Sequence, residues 1–321
     1  MYLLSVIVPV YNAEPWLEEC LDSILASVGQ ASDAVELVLI NDGSTDGRGL
    51  ICDRYAAEHA HIRVFHKENG GVSTARNLGL AQARGTYLAW VDPDDYVSAD
   101  WFPRIRDAIA QDAPDVIVMD TVRFGDGPER PEIYGREAGF VDRDLFVADV
   151  IRDVRMLSGM PNKVMKAYLF EGITFDAALP ILEDYTAIPG ILKNAETVYY
   201  IPHCLYHYRQ HPKSLLHEVD PERAFRSVQI AMDREQAVEP RFRDAAVTAV
   251  ALQAFLFCRS WYISPAFRTD KRQLRFCRRF IRKNLFRICG DQELSRGMRI
   301  KMTLLALGLY GFLMGLRKDA P

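Results

Sequence analysis

Residues 87–96 read Tyr-Leu-Ala-Trp-Val-Asp-Pro-Asp-Asp-Tyr, an apolar run that ends in the carboxylates of Asp92, Asp94 and Asp95. The apolar half has the length and composition of a buried strand. Like charges repel one another, so folding alone gives no reason to crowd acids at its end. A divalent cation does give one, because Mg²⁺ binds carboxylate oxygens and leaves positions for substrate phosphates. The stretch therefore predicts a strand followed by a metal site, or else by a solvated acidic turn.

Around this stretch, the first 120 residues alternate between short apolar β-rich runs and segments with helical spacing. Five strands are predicted, at Leu3–Val8, Val35–Ile40, Ile62–Phe65, Tyr87–Val91 and Val116–Met119. Helices between such strands indicate an α/β fold with a mostly parallel sheet and helices on both faces. Further along, the pattern predicts two short strands at 198–201 and 205–208, and it is almost entirely helical from residue 220.

Polar residues directly follow each of the first four predicted strands. The four segments are 9–12 (Pro-Val-Tyr-Asn), 41–44 (Asn-Asp-Gly-Ser), 66–71 (His-Lys-Glu-Asn-Gly-Gly) and 92–95 (Asp-Pro-Asp-Asp). Ligands of parallel α/β sheets bind where the carboxyl ends of the strands meet. Four polar strand ends at one edge therefore favour a binding site over a solvated turn.

Four motifs within the first hundred residues carry a more specific signal. They are Ser5-Val-Ile-Val-Pro-Val-Tyr-Asn12, Asn41-Asp-Gly-Ser-Thr-Asp46, Asn69-x-Gly-x-Ser-x-Ala-Arg-Asn-x-Gly79 and Asp92-Pro-Asp-Asp-Tyr96. In this order and spacing they resemble the nucleotide-diphosphosugar glycosyltransferases of family 2, which have the GT-A fold. The resemblance implies a GT-A-like, mostly parallel nucleotide-binding sheet. We expect residues 1–218 to form the catalytic domain and residues 219–321 a helical C-terminal region.

The resemblance also implies roles in binding a nucleotide-sugar donor, with a UDP-sugar as the expected donor. Pro9 and Tyr11 would border the nucleotide base, and Asp42 would accept a hydrogen bond from it. Asn69 and Arg76 would lie on the nucleotide side of the pocket.

The acids at 92–95 would form the DXD motif of such enzymes. By resemblance, Asp92 faces the ribose or the metal, and Asp94 is the direct ligand of Mg²⁺ or Mn²⁺. Two alternatives stay open for Asp95: a part in this site, or capping of the following turn. The departing diphosphate gains negative charge, which a metal ion and cationic side chains stabilise.

An acceptor hydroxyl must lose a proton as it attacks, which requires a second acid outside the donor site. The candidate is Leu182-Glu-Asp-Tyr185. By resemblance, Asp184 is the catalytic base and Glu183 positions the acceptor or the base. The alternative is that both acids are favoured only by the dipole at a helix N-terminus. A single base opposite the leaving group would imply inversion at the anomeric carbon.

Two further segments resemble parts of the family pattern. Lys163, in Pro161-Asn-Lys163, would pair with the diphosphate, or it is a surface lysine. Arg209 and Ser214 would approach the diphosphate, and the guanidinium suits bidentate phosphate binding. His207 would be a further metal ligand or contact, or else a structural histidine.

The end of the chain has an unusual charge distribution. Residues 268–301 carry twelve Lys or Arg and only three Asp or Glu, although the whole chain has a net charge of −4. The pattern from about residue 271 predicts a basic amphipathic helix. Two interpretations are open: residues 268–316 bind an anionic membrane surface, or this tail folds onto the acidic body of the protein. No nucleic-acid recognition motif is present, so nucleic acid is not an expected partner.

The apolar run 302–316 predicts a helix that is too short to span a bilayer. It is the longest apolar run that the sequence indicates as a candidate membrane span. Its glycines at 308, 311 and 315 would allow close helix packing within the fold or in a homo-oligomer.

Six scattered cysteines without a Cys-x-x-Cys pair favour reduced thiols, and the N-terminus does not resemble a signal peptide. We therefore expect a cytoplasmic protein, peripheral at the inner face of the cell membrane.

The sequence thus predicts a metal-dependent inverting glycosyltransferase that moves a sugar to a glycan or lipid-linked glycan in cell-surface polysaccharide synthesis. Two alternatives remain. A catalytically inactive sugar-nucleotide-binding or scaffold protein would keep the fold. A nucleotidyltransferase would share the sheet, but usually has a glycine- and arginine-rich loop where this chain has 9–12, Pro-Val-Tyr-Asn.

Overall fold

The computed structural model describes residues 2–12, 15–179, 182–211, 220–268, 270–312 and 314. The described residues divide into two compact units. The N-terminal unit comprises 1–146 and 158–212, and the C-terminal unit comprises 147–157 and 213–321.

The first half of the N-terminal unit is a parallel sheet with helices between its strands. The strands are β1 (Leu4–Val10), β2 (Val35–Asp42), β3 (Ile62–Lys67) and β4 (Tyr87–Trp90), and the helices are α1 (Leu17–Val28), α2 (Arg48–Glu58) and α3 (Val72–Gln82). The strand order in the sheet is β3-β2-β1-β4. All seven residues of β1 are buried, as expected of a parallel strand with both faces covered. Helix α3 lies close to β1, because a Cβ at Gly79 would stand 2.4 Å from Ile7 Cγ2.

The second half of the sheet departs from parallel order. Strand β9 (Lys163–Lys166) runs antiparallel between β4 and β6 (Val116–Gly125), and β10 (Val198–Gln210) pairs in parallel with β6. Short antiparallel strands extend the sheet at β5 (Tyr96–Val97), β7 (Arg130–Glu132) and β8 (Gly139–Val141). The two strands predicted at 198–201 and 205–208 form one strand, whose register shifts between Ile201 and Tyr206. The α/β, GT-A-like prediction is confirmed, with an antiparallel insertion that the pattern did not predict.

Two more helices belong to the N-terminal unit, α4 (Trp101–Asp112) and α6 (Glu183–Leu192), whereas α5 (Arg143–Arg152) has residues in both units. Helix α6 begins at Glu183, so both acids of the pair lie in its first turn. The residue before it, Leu182, has φ of 66°, in the left-handed region that costs a side-chain-bearing residue energy. The chain is therefore held in an unfavourable conformation directly before the acidic pair.

The C-terminal unit is helical, as predicted. It contains α7 (Pro221–Ala237), α8 (Arg243–Ile263), α9 (Lys271–Lys283), α10 (Leu285–Gly290) and α11 (Arg296–Leu307). Its core joins the later helices to α8, through Cys258 of α8, Cys277 and Ile281 of α9, Ile288 of α10 and Met302 of α11. The apolar face of the predicted amphipathic helix is therefore part of a protein core.

Two expectations about the C-terminal region are wrong. By length and composition, the stretch 240–263 could cross a membrane, so 302–316 is not the longest candidate. This is weak evidence for a span, because 61% of its most apolar window is buried and a core helix passes the same test. The run 302–316 is also not one helix, because α11 ends at Leu307 and Gly308 follows with φ of 85°.

The glycines after α11 pack closely within the C-terminal unit. A Cβ at Gly308 would stand 2.6 Å from Arg278 Nη2, and one at Gly311 would stand 2.9 Å from Tyr262 Cε1. Residue 315 lies outside the described residues. The homo-oligomer stays a prediction that these two glycines do not require.

Candidate active site

The ends of β1 and β2 form the first side of the site. Pro9 is buried in β1, whereas the Tyr11 side chain is 49% exposed and available to a ligand. The next residue, Asn12, has φ of 44°, and its Oδ1 accepts a hydrogen bond of 3.2 Å from the Thr45 N–H. The loops after β1 and β2 are thereby joined.

Asp42, the last residue of β2, is buried and fully engaged in organising the next loop. Its carboxylate accepts hydrogen bonds from the N–H groups of Gly70 (3.0 Å) and Gly71 (2.8 Å) and pairs with Lys67. Asn69 Nδ2 donates to the Asp42 carbonyl at 3.0 Å. These contacts bring the predicted pair of Asp42 and Asn69 together, and they show a structural role that the motif alone did not indicate. The contact between Asp42 and a nucleotide base stays a prediction.

The acidic loop after β4 is fixed to β10 by a buried tyrosine. Tyr206 Oη donates to Asp95 Oδ2 at 2.5 Å and accepts from the Asp92 N–H at 3.1 Å. Asp95 Oδ1 also accepts from the Arg209 N–H at 2.7 Å. Burial raises the pKa of Asp95 well above its ordinary value, and the charges of Asp92 and Asp94 add to the shift. Asp95 thus fixes the acidic loop to β10 by hydrogen bonds. This structural role was not among the two expected for it.

Arg209 lies against the same loop, and its expected approach to the diphosphate stays a prediction. Its Nε donates to the Asp94 carbonyl at 2.7 Å, its Nη2 pairs with Glu19, and its guanidinium carbon lies 4.5 Å from the ring centroid of Phe124. The guanidinium is held beside the DXD acids. Ser214 lies outside the described residues.

A histidine that the sequence did not single out contacts Asp94. His211 Nε2 lies 3.0 Å from Asp94 Oδ2, and the His211 ring packs 4.2 Å from the Trp16 ring. His207, the histidine proposed from the sequence, instead stacks on Tyr96 at 4.2 Å and shares a 2.9 Å hydrogen bond with Ser98 Oγ. The period of two residues in a strand puts His207, Arg209 and the residue after β10 on one face. This signal could have indicated His211, but it does not distinguish the two histidines.

These donors fit a divalent metal whose coordination is completed by substrate. Asp94 presents a carboxylate that is 27% exposed, with the His211 imidazole beside it, and both groups bind ions such as Mn²⁺. No cluster of three or more ligating side chains occurs among the described residues. A site of this kind suits an ion held by one or two carboxylates together with substrate phosphates.

Arg76 connects the DXD loop to the second pair of acids. This buried arginine of α3 pairs through Nη1 with Glu183 Oε1, and its Nη2 lies 3.7 Å from Asp92 Oδ1. Burial raises the pKa of Glu183 to about 7 and that of Asp92 to about 6, while the Arg76 charge opposes both shifts. The charge of Asp184 contributes to raising the pKa of both acids. The two acidic motifs, some 90 residues apart in sequence, therefore lie in one electrostatic environment.

Asp184 is less buried than Glu183 and has different contacts. Its Oδ1 accepts a 2.6 Å hydrogen bond from the Tyr185 N–H. Its Oδ2 faces Gly159, where a Cβ would lie 3.6 Å away. Lys163 is fully buried, and its Nζ donates to the Gly159 carbonyl and to Asn162 Oδ1, each at 2.7 Å. The alternative of a surface lysine is therefore wrong, and Lys163 positions the segment that faces Asp184.

With this geometry in view, comparison with known proteins identifies the class of enzyme. The profile of Glycosyl transferase family 2 matches residues 5–169, about half of the chain. The chain belongs to this family.

Relatives in bacteria include the glycosyltransferase EpsJ of Bacillus subtilis, 35% identical over 218 residues, which cover 66% of this chain and 62% of EpsJ. The glycosyltransferase GlyA of Streptococcus pneumoniae is 31% identical over 223 residues, covering 66% of this chain and 31% of GlyA. The minor teichoic acid biosynthesis protein GgaB of Bacillus subtilis is 31% identical over 65% of this chain and 23% of GgaB. The chain thus matches less than two thirds of the length of each of these relatives.

Solved structures share the fold along nearly the whole chain. Staphylococcus aureus TarS (residues 1–349) in complex with UDP-GlcNAc superimposes with a TM-score of 0.75 at 20% identity, covering 99% of this chain and 92% of that one. The mannosyltransferase PcManGT of Pyrobaculum calidifontis, in complex with GDP-Man and Mn²⁺, gives a TM-score of 0.58 at 19% identity, covering 99% and 88% of the two chains.

Proposed function

We propose that this family 2 enzyme transfers a sugar from a UDP-sugar to a hydroxyl of a glycan or lipid-linked glycan, in a metal-dependent reaction with inversion. The observation that carries the proposal is the position of Arg76, which contacts Asp92 on one side and Glu183, the first acid of α6, on the other. A glycosyl transfer needs a site for the leaving diphosphate and a base for the acceptor. Arg76 brings candidates for both together.

The donor would bind at the edge where β1, β2 and β4 end. Tyr11 is exposed there for contact with a nucleotide, and Arg209 is held beside Asp94. Asp94, with His211 beside it, would hold Mg²⁺ or Mn²⁺ together with the substrate diphosphate, and Asp92 would face the ribose or the metal. The metal when bound offsets the negative charge of the diphosphate. The likeness to the fold of TarS, solved with UDP-GlcNAc, supports a uridine nucleotide as the first donor to test.

Asp184 suits the base better than Glu183 does. Glu183 is buried and paired with Arg76, so its carboxylate is occupied in positioning. Asp184 is more exposed, and no hydrogen bond to its Oδ2 occurs among the described residues. As the acceptor oxygen bonds to the anomeric carbon, Asp184 would take its proton. The bond from that carbon to the diphosphate oxygen would break on the opposite face, and its electron pair would leave with the diphosphate. One such displacement inverts the anomeric carbon.

The reaction would serve cell-surface polysaccharide synthesis at the cytoplasmic face of the membrane. The relationship to GgaB, a teichoic acid biosynthesis protein, supports this pathway. The six cysteines, all unpaired, are compatible with a reducing compartment.

An Asp184→Asn variant tests the assignment of the base. We expect it to bind a UDP-sugar as the wild type does but to release UDP at least about a hundred-fold more slowly in the presence of a lipid-linked glycan fraction, since general-base catalysis contributes about 10²–10⁴-fold. Asp112→Asn, on the exposed end of α4, is the matched control. Lost donor binding in Asp184→Asn would make Asp184 a structural acid. An inactive wild type that still binds donor would favour the scaffold alternative.

A further inference from the structure

Helices α9 and α10 form one nearly continuous helical stretch. The Asn284 residue between them donates its N–H to the Phe280 carbonyl at 3.1 Å, and its own carbonyl accepts from the Ile288 N–H at 3.0 Å. Helical spacing therefore holds from 271 to 290. The inward side of this stretch carries Cys277, Ile281 and Ile288, which belong to the core of the C-terminal unit.

The opposite side, which we call the outer face of α9–α10, is cationic and exposed. At 100° per residue it consists of Arg272, Arg275, Phe276, Arg279, Arg282, Lys283 and Phe286. Arg272 pairs with Asp270, whereas Arg275, Arg279, Arg282 and Lys283 have no ion pair within the part of the chain that the structure describes. Like charges three and four residues apart destabilise a helix, so folding does not account for this set.

Two aromatic side chains lie among these cations. Phe276 is 42% exposed and retains a contact with Phe225, but Phe286 is 94% exposed. Transfer of a phenylalanine side chain out of water is favourable, so a fully exposed one suggests that an apolar environment covers it in the working state. Such an environment has to lie beside negative charge, because Arg282 and Lys283 precede Phe286 by one helical turn on the same face. The interface of an anionic bilayer provides both, with phosphates at the level of the cations and acyl chains beneath them.

We propose that the outer face of α9–α10 binds the surface of an anionic phospholipid bilayer, with Phe286 inserted and Arg279, Arg282 and Lys283 against the phosphates. This differs from the arrangement that amphipathicity alone indicates, because the apolar side of α9 is occupied by the protein core. The proposal rests on the proposed function only for its purpose, which is to keep the enzyme at the membrane that holds a lipid-linked acceptor.

The test is vesicle flotation of the full chain with phosphatidylglycerol–phosphatidylcholine vesicles and with phosphatidylcholine alone. We expect binding to the anionic vesicles only, weakened by high salt. The triple variant Arg279→Glu, Arg282→Glu, Lys283→Glu should bind at least about a hundred-fold more weakly, since each cation near an anionic leaflet is worth roughly five-fold in affinity. Phe286→Ser should weaken binding while the remaining affinity keeps its salt dependence.

A matched triple variant, Arg106→Glu, Arg130→Glu, Lys193→Glu, makes the same charge change at exposed positions of the N-terminal unit and should float like the wild type. Stabilisation by a UDP-sugar, measured on the same proteins, should be equal in all of them. It checks that they are folded and separates this proposal from the proposed function. Absent or equal flotation of the wild type and the outer-face variants would overturn the proposal. So would tighter binding of a single-stranded oligonucleotide than of vesicles, or a dimer that Phe286→Ser dissociates.

Discussion

Arg76 of α3 forms a buried ion pair with Glu183, the first residue of α6, across 107 residues of sequence. The same guanidinium approaches Asp92. The charge of this arginine favours the ionised forms of both acids, against the burial that raises their pKa values. The Asp184 carboxylate lies next to Glu183 in the chain. The pair therefore links the site expected to bind the donor with the residue expected to activate the acceptor.

Replacing Arg76 should lower the free energy of unfolding. Arg76→Met leaves the buried Glu183 and the partly exposed Asp92 without this counter-charge, and breaking a buried pair destabilises a protein by about 3–5 kcal/mol. We expect that loss in the free energy of unfolding, measured by urea denaturation. The double variant Arg76→Met, Glu183→Leu should recover part of it, because neither charge of the pair remains. An unfolding free energy of Arg76→Met equal to that of the wild type would show that the pair carries no such role.

Tyr206 lies on β10, and we expect it to position the acidic loop at 92–95 through its hydroxyl group. Tyr206→Phe removes the hydroxyl shared by Asp95 and the Asp92 N–H, which we expect to cost about 1–3 kcal/mol of stability and to weaken donor affinity. Tyr200→Phe is the matched control, because its hydroxyl bonds instead to buried Asp120. Urea unfolding gives the stability of each variant, and titration with a UDP-sugar gives its donor affinity. Equal donor affinities in both variants would argue against a positioning role for Tyr206.

His207 of β10 and His211, the residue directly after this strand, should differ in their effect on the metal requirement. His211→Ala removes the imidazole beside Asp94 and should raise the Mn²⁺ concentration needed for half-maximal donor binding at least about ten-fold, the lower range seen when metal-site partners are lost. His207→Ala removes a ring that stacks on Tyr96 and should leave the Mn²⁺ requirement unchanged. A larger Mn²⁺ requirement for His207→Ala than for His211→Ala would restore the interpretation made from sequence.

Much of the fold follows from local pattern. The first four strands lie where apolar runs end in polar turns, because parallel strands buried on both faces must be apolar throughout. Strand β9 escaped prediction because it has only four residues, with a lysine at each end, and pairing with β4 and β6 imposes its conformation. The sequence of β10 indicates two strands because Pro202 and His203 interrupt its apolar pattern. In the structure, register shifts allow pairing with β6 to continue past these residues.

The site was predictable to the extent that motifs name residues. Asp92, Asp94, Arg76 and Glu183 fall in motifs, and the structure brings them together. What local pattern cannot give is the partner contributed by a distant strand. For Asp95 the sequence indicates a part in the site or a cap, because it does not reveal that Tyr206, 111 residues later, donates to the Asp95 carboxylate. Likewise, helical periodicity identified the apolar side of α9 correctly but could not indicate whether protein or lipid covers it.

The most direct test of the account is donor-induced thermal stabilisation of the wild type and Asp94→Asn, with UDP- and GDP-sugars in Mn²⁺, Mg²⁺ or EDTA. We predict that a UDP-sugar stabilises the wild type, by about 2.7 kcal/mol at a hundred times its Kd. The effect should be lost in EDTA and in Asp94→Asn, and retained in Asp112→Asn. Failure of every nucleotide sugar to stabilise the wild type, or equal stabilisation of Asp94→Asn with and without metal, would contradict the account.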